Sequence, residues 1–421
     1  MLRFLEALNP WNSCFTATNF EDALIDIKVI LNTVDCPSND HSKPSPTFRE
    51  KKLLLEKAYN LATTCLNAAA KPKPDKELSF LLADILRQYA TLCFDENYFG
   101  AKQILLIALN LHLYTIGIFN ECIDIRDFLS LEDLKKQCEA KPALFRSMED
   151  TILSTSPDRC MTLAYKDSFV RPPSEKRLYS LAETVRWLGY SYKSIDQNKT
   201  ITPENDLRFS QLFGLSESLY LFIDDDESKH ALADLYFQAW PFMHGRKNPQ
   251  DAAGIFQNYE KALFYDSSPE MQANIGNSLF VSLFENGQKS EALQVLKKAI
   301  LGAESLEENE RKQFLLSSLY DNYASYLMDP ETLDLVEAGI YLQRVEAYVV
   351  RSRLDERDHL QFAFYDMRYA EYKLVMDEFD AAKEIIQRAL NTIQKQPQSQ
   401  QPHMIKAQAL KSLIHKVANV S

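Results

Sequence analysis

The chain has 421 residues and a formal net charge of −12. That length is too great for one ordinary compact core, and the acidic balance makes nucleic-acid phosphates and anionic lipid poor default partners. Hydrophobic residues make up 46% of the chain and only 10 residues are glycine, which excludes wholesale disorder and speaks against the glycine-dependent turns of a large β protein or the phosphate loops of a doubly wound fold.

The elements can be taken in chain order. Met1 to Phe20 carries Glu6 and Pro10 and has no unbroken apolar stretch, so it does not read as a secretory leader. Phe20 to Val34 reads as a short amphipathic helix capped by Asn19. Pro37, Pro44 and Pro46 then rule out helix, because each lacks an amide hydrogen and restrains its predecessor. Phe48 to Ala70 is a long helix that stops before Lys71-Pro72-Lys73-Pro74. Asp75 caps the next helix, which runs to about Phe94, and Asp95-Glu96-Asn97 connects it tightly to a helix from Tyr98 to Tyr114. These two form an antiparallel hairpin. The longest apolar run, Ile104 to Phe119, is broken by Asn110 and His112 and is shorter than the roughly 18 residues that span a bilayer. It reads as a buried helix entering a turn, with His112 a hydrogen-bonded core residue.

Thr115 to Pro173 is the least regular stretch. Ser130 to Glu139 suggests a short helix with Ser130 and Asp133 as a weak capping box, and Pro142, Pro157, Pro172 and Pro173 break up the rest. From Ser174 the helical period becomes monotonous. Helices are predicted over Glu175–Asp196, Pro203–Ile223, Glu227–Met243, Gln250–Tyr265, Pro269–Asn286, Lys289–Ala303, Glu308–Met328, Leu333–Arg353, Arg357–Met376 and Glu378–Gln394. Breaks fall at Gly245, Ser267-Ser268, Gly287, Asp329-Pro330 and Asp377, and a Gln/Pro spacer precedes a last helix from His403 to Val420.

The helices pair, and the pairs repeat a pattern. Asn274-Ile275-Gly276-Asn277 is followed by Glu285-Asn286-Gly287-Gln288, Glu291-Ala292-Leu293 and Lys297-Lys298-Ala299-Ile300. Glu378 to Ala382 with Gln387 to Leu390, Ala338 with Val345, Tyr259 to Leu263, Ala101 with Ala108, and Leu188-Gly189 with Tyr192 echo parts of it. Small residues at these spacings let two helices cross closely, while large ones fill the gaps. The pattern resembles the tetratricopeptide repeat, in a degenerate form: Ala262 to Ala299 and Val345 to Ala389 are both spaced more widely than the family's roughly 34 residues. The resemblance implies an all-α fold, antiparallel helix pairs stacked as a right-handed α-solenoid. Its expected organisation is a helical N-terminal region at 1–114, an irregular linker or insertion at 115–177, the repeat array at 178–395, and a spacer with a capping helix at 396–421.

Chemistry has little signature. There is no phosphate-binding glycine loop, H-E-x-x-H or G-x-S-x-G. The segment Trp240 to Arg246 is similar to the loop of Fic-type nucleotidyl transferases but has Trp240 where that loop needs its histidine; it reads as a helix end with Gly245 as cap. Asp224-Asp225-Asp226-Glu227 lacks the alternation of a calcium loop and reads as the charged start of a helix. The seven cysteines, at 14, 36, 65, 93, 122, 138 and 160, include no C-x-x-C pair and read as reduced thiols in a cytoplasmic protein, or one delivered into a host cytosol. Lys406, Lys411 and Lys416 put a basic face on the last helix, expected to cap the array.

Members of the resembled family bind peptides or helices on the face built from first helices. Carried over, Arg186, Tyr190, Lys193, Asn277, Phe280, Ser325 and Glu371 would line a peptide-binding groove, helped by the aromatic surplus between Tyr320 and Tyr372. The expected function is a protein-interaction scaffold or adaptor, with another protein or peptide as partner and no catalytic residue, metal, cofactor, nucleic acid or membrane span. A chaperone or peptide-gated regulator is the alternative, and an enzyme using Cys122, Cys138 or Cys160 within 115–173 a further one.

Overall fold

A computed structural model describes residues 20–35, 46, 48–68, 75–93, 98–119, 149–166, 173–193, 203–243, 252–354, 360–394 and 401–418. Among the described residues the regular structure is entirely helical. The helices are α1 (Phe20–Asp35), α2 (Phe48–Ala68), α3 (Lys76–Cys93), α4 (Tyr98–Thr115), α5 (Pro157–Lys166), α6 (Ser174–Lys193), α7 (Pro203–Ile223) and α8 (Asp226–Met243). They continue as α9 (Ala252–Tyr265), α10 (Pro269–Glu285), α11 (Lys289–Glu304), α12 (Glu310–Leu327), α13 (Leu335–Leu354), α14 (Leu360–Val375), α15 (Phe379–Gln394) and α16 (Gln401–Ala418). None of them is long and apolar enough to cross a membrane. The helix expected over Ser130–Glu139 and the cap expected at Gly245 lie outside the described residues. The chain divides into two compact units: residues 1–94, 98–191 and 214–219, and residues 95–97, 192–213 and 220–421.

In the first unit α1 packs on α2 and α3, and α3 and α4 form the expected hairpin. Asp75 caps α3, its Oδ1 accepting from the amides of Glu77 at 2.9 Å and Leu78 at 3.1 Å. α4 is buried almost all round, from Ala101 to Ile116, which accounts for its lack of a polar face. It ends in a Schellman motif: Gly117 has φ +84°, its amide bonds Tyr114 O at 3.1 Å, and Ile118 N bonds Leu113 O at 2.9 Å. The apolar run is therefore a central core helix entering a turn.

The expectation of irregularity needs correction at 149–166. Pro157 does not break structure there but opens α5, since a proline at the first helical position loses an amide hydrogen that has no intrahelical partner anyway. Ser156 serves the same end, accepting from Arg159 N at 3.3 Å through its hydroxyl.

In the second unit α8 pairs with α9, α10 with α11, α12 with α13 and α14 with α15, and α16 packs on α15. The breaks at Gly287 and Asp377 repeat the Schellman geometry. Gly287 has φ +78° and Asp377 φ +59°, with Gln288 N bonded to Leu283 O and Glu378 N to Lys373 O, both at 2.9 Å. Asp225 and Ser228 form a reciprocal capping box at the start of α8, Ser228 N to Asp225 Oδ1 at 2.7 Å and Asp225 N to Ser228 Oγ at 3.0 Å. One continuous core runs from Phe280 through Leu296, Leu319, Leu342 and Val349 to Phe362, and a second joins α14, α15 and α16 through Ala370, Ile386, Ala389 and Ile414.

Small residues sit where paired helices cross, as at Gly276 and Ala299. A Cβ placed on Gly276 would come within 2.7 Å of the Ala299 Cβ. Neither atom can swing aside, so α10 and α11 would have to separate. Gly276→Ala is accordingly expected to destabilise, because overpacking of about 1–3 kcal/mol outweighs a helix-propensity gain of at most about 1 kcal/mol. Gly214→Ala in α7, where the new methyl meets nothing within 4 Å, is expected to raise the midpoint of thermal unfolding. Opposite signs in paired melts are the expected result; two gains would mean that the crossing is not tight.

Candidate functional site

Three first helices, α10, α12 and α14, are tied to one another by polar side chains. Asn322 of α12 donates from Nδ2 to Asn277 Oδ1 of α10 at 2.8 Å. Arg368 of α14 reaches back to α12, its Nη1 lying 2.6 Å from both the carbonyl and Oδ2 of Asp321. Phe284 and Tyr326 add a ring contact between α10 and α12, with centroids 6.1 Å apart. Asn277, Asp321, Asn322, Ser325, Arg368 and Glu371 are all neither buried nor fully exposed. Burial pushes the Asp321 carboxyl above its ordinary range even though Arg368 works against it, and its Oδ1 has no hydrogen-bond partner among the described residues.

A wall of tyrosines and cations stands beside this line. The Arg344 guanidinium lies 5.4 Å from the ring of Tyr320 and 5.3 Å from that of Tyr341. Lys373 lies 5.4 Å from the Tyr369 ring and 5.8 Å from that of Tyr372. Tyr320, Tyr323, Tyr348 and Tyr365 are buried, while Tyr326, Tyr341, Tyr369 and Tyr372 are partly exposed. With Phe362 buried and Phe364 partly exposed, half of the aromatic surplus is thus core. Burial, aided by Glu304, pushes the Tyr320 phenol up to about 12, so it stays a neutral donor to Glu304 Oε1 at 3.0 Å.

The residues expected to line the groove fall into two groups. Asn277, Ser325 and Glu371 lie on the first-helix face. Phe280 is a correction: it sits in the core with Leu296 and Ile300, stacked on Phe284 at 5.4 Å. It shares a stripe with Ala273 and Gly276, which meets α11, whereas Asn277 is one position off that stripe. Tyr190 and Arg186 are likewise buried, because α6 is enclosed on all sides from Ser180 to Tyr192 except at Trp187. Arg186 Nη2 bonds Glu183 Oε2 at 2.9 Å, and Tyr190 packs edge-on against Trp187 at 5.6 Å. The Lys193 side chain lies outside the described residues. The cross-helix ties are made by Asp321, Asn322 and Arg368 with Asn277, and the first three each lie about one helical turn from a residue expected to line the groove.

The first unit holds a second polar cluster, wholly internal. Asp84 accepts from Arg87 at 2.7 Å and from Ser180 Oγ at 2.8 Å. Burial disfavours its charge, but Arg87 and Ser180 outweigh that and hold the carboxyl below its ordinary range. His112 lies fully buried in the same region, edge-on to Phe80 with centroids 5.8 Å apart. Neither of its ring nitrogens has a hydrogen-bond partner among the described residues. The expected core placement stands, and the expected hydrogen bond does not. Burial lowers its pKa to about 3, with Arg87 adding to that and Asp84 opposing.

Nucleophile chemistry finds little support. Cys65, Cys93 and Cys160 are buried and in no disulfide, and burial pushes the Cys160 thiol up to about 11, far from a reactive thiolate. Cys122 and Cys138 lie outside the described residues. No group of three or more His, Cys, Asp or Glu that could hold a metal ion occurs among the described residues.

No protein-family model and no curated protein matches the chain. Among solved structures it is similar to the Cut9-Hcn1 hetero-tetramer of the APC/C, at 13% identity and TM-score 0.31, covering 94% of this chain and 90% of that one. It is also similar to yeast Tom70, at 12% identity and TM-score 0.30, covering 87% and 96%. A circular tandem repeat protein with novel repeat topology follows at 12% identity and TM-score 0.21, covering 95% and 90%.

Proposed function

We propose that this chain is a protein-interaction scaffold that holds an extended peptide segment of its partner against the first-helix face of α10, α12 and α14. The observation that carries this reading is the pair of cross-helix ties, Asn322 to Asn277 and Arg368 to Asp321, set in partly buried positions where a stack of helix pairs needs no polar residue for its own packing. Amide, guanidinium and carboxylate groups in that row can donate to and accept from a peptide backbone. Tyr326, Tyr369 and Tyr372 supply partly exposed ring surface alongside.

The test is direct. An array of extended peptides is probed with the wild-type chain and with an Asn322→Ala/Arg368→Ala variant, after circular dichroism shows both to be folded. The binding peptides are expected to lose at least about tenfold in affinity, as for two truncated polar contacts of roughly 1 kcal/mol each. Peptides bound equally by both proteins would move recognition off this face. Arg186→Glu does not serve as a probe, because Arg186 is buried and ion-paired, so the variant reports on folding.

A further inference from the structure

The first and last described helices, α1 and α16, each present an outer face that carries exposed apolar residues. α16 packs on α15 through Ala407, Leu410 and Ile414. Its opposite side carries Ile405, 66% exposed, and Leu413, 49% exposed, with Ala409 between them. α1 packs inward through Ala23, Leu24, Ile27, Leu31 and Val34, and turns Ile25 and Val29, each 57% exposed, outward. Ile25 and Val29 are one helical turn apart; Ile405, Ala409 and Leu413 are spaced by four, so both sets form stripes along their helices.

The charges around the two stripes are opposite. α1 contains Glu21, Asp22, Asp26 and Asp35 against a single Lys28, and Lys28 is already held by Glu77 at 2.5 Å. α16 contains Lys406, Lys411 and Lys416 with His403 and His415 and no acidic residue, a basic helix in a chain of net charge −12. Asp22 and Asp26 lie beside the α1 stripe. Lys406 and Lys416 lie beside that of α16, while Lys411 is engaged with Gln387 at 2.7 Å.

We propose that copies of this chain associate through unlike faces, the outer face of α16 in one copy stacking on the outer face of α1 in another. Apolar stripe meets apolar stripe, and lysines meet carboxylates. Neither face suits its own copy, because pairing α16 with α16 or α1 with α1 opposes like charges. The contact therefore joins unlike faces, α16 of one copy to α1 of another, and not like to like. Burial and the neighbouring Asp22 raise the Asp26 carboxyl pKa, a cost that a lysine from another copy would relieve. Two helices of this length laid side by side bury on the order of 1,000 Å², the low end for a specific interface, so assembly belongs in the micromolar range.

The experiment is sedimentation equilibrium on the full chain from ~1 to ~200 μM, with Val29→Lys and Leu413→Glu as variants, both at exposed positions where folding is unaffected. Wild-type average mass is expected to rise above the monomer with concentration and to fall back at high salt. Each variant alone is expected to stay monomeric, since one lacks the α1 face and the other the α16 face. Mixed at equal concentration they are expected to form a 1:1 dimer and nothing larger, because the Val29→Lys copy keeps its α16 and the Leu413→Glu copy keeps its α1. A wild type monomeric throughout, variants that still assemble, or a mixture that stays monomeric would each overturn the proposal. So would a monomer that binds vesicles of anionic lipid through α16, which would assign that face to a membrane surface.

Discussion

Arg177→Met is expected to destabilise the first unit by about 3–5 kcal/mol and to release α5 from it. Arg177 is the largest fully buried side chain among the described residues. A buried guanidinium needs acceptors for its donors, and carbonyls and a hydroxyl are among those that the fold supplies here. Nη1 donates to Thr115 O at 3.1 Å, and Nη2 to Ala164 O at 2.8 Å and Ser174 Oγ at 3.4 Å. Thr115 ends α4 and Ala164 lies in the last turn of α5, so the cation sits at the negative ends of two helix dipoles. Ser174, which begins α6, bonds the same Ala164 carbonyl at 3.0 Å. One side chain thus pins three helix termini. Methionine keeps much of the volume but takes one donor from Thr115 O and one from Ala164 O, which keeps that of Ser174 Oγ, and the cost is that of the lost buried hydrogen bonds added to the lost charge–dipole attraction. Chemical denaturation measures the first part. Hydrogen exchange measures the second: protection is expected to fall at 157–166 more than in α3. Equal loss everywhere, or a variant as stable as wild type, would show that Arg177 does not pin α5.

Arg177 also shows where the sequence is hard to read. An arginine near a helix start looks like a solvated residue, and nothing local announces that two distant carbonyls await it. What was legible had local causes. Gly287 and Asp377 marked helix ends because the left-handed conformation there suits glycine and tolerates aspartate. Asp75 marked a beginning because its carboxylate reaches the amides two and three residues on. Gly276 and Ala299 marked a crossing because no larger residue fits. The candidate site depends instead on how successive pairs are rotated. A rotation of one residue, about 100° on a helix, separates Asn277 on the surface from Gly276 against α11. A shift of one turn separates Ser325 from the Asp321–Asn322 pair that makes the contacts. Wide repeat spacing removed the fixed period that would have set both. On α6 the mapping failed for another reason: burial on all sides leaves that helix no face to present, so Arg186 and Tyr190 act as packing and pairing residues.

The stability of the chain is expected to fall more steeply with acid in the wild type than in a His112→Leu variant, between about pH 6.5 and pH 4. In the fold His112 is fully buried and its pKa is lowered from 6.5 to about 3. The unfolded chain therefore takes up a proton below 6.5 that the folded chain refuses until about 3. In that window the unfolded state binds more protons, so stability rises with pH and is lost as pH falls, by up to about 1.4 kcal/mol for each pH unit. Asp84, the charged neighbour on α3, is held below its ordinary 3.8, so its own contribution is lost in the same direction but at lower pH, beneath the window. Arg87 keeps its charge throughout. Leucine at 112 removes the titrating group and with it two ring nitrogens that have no hydrogen-bond partner among the described residues, so the variant is expected to be no less stable than wild type near pH 5 even after losing the edge contact to Phe80. Denaturant titrations at half-unit pH intervals decide the matter. Parallel curves for the two proteins would mean that the imidazole finds water or a proton acceptor in the fold. A steeper curve for the wild type confined to this window would identify the acid sensitivity of the first unit with one buried ring.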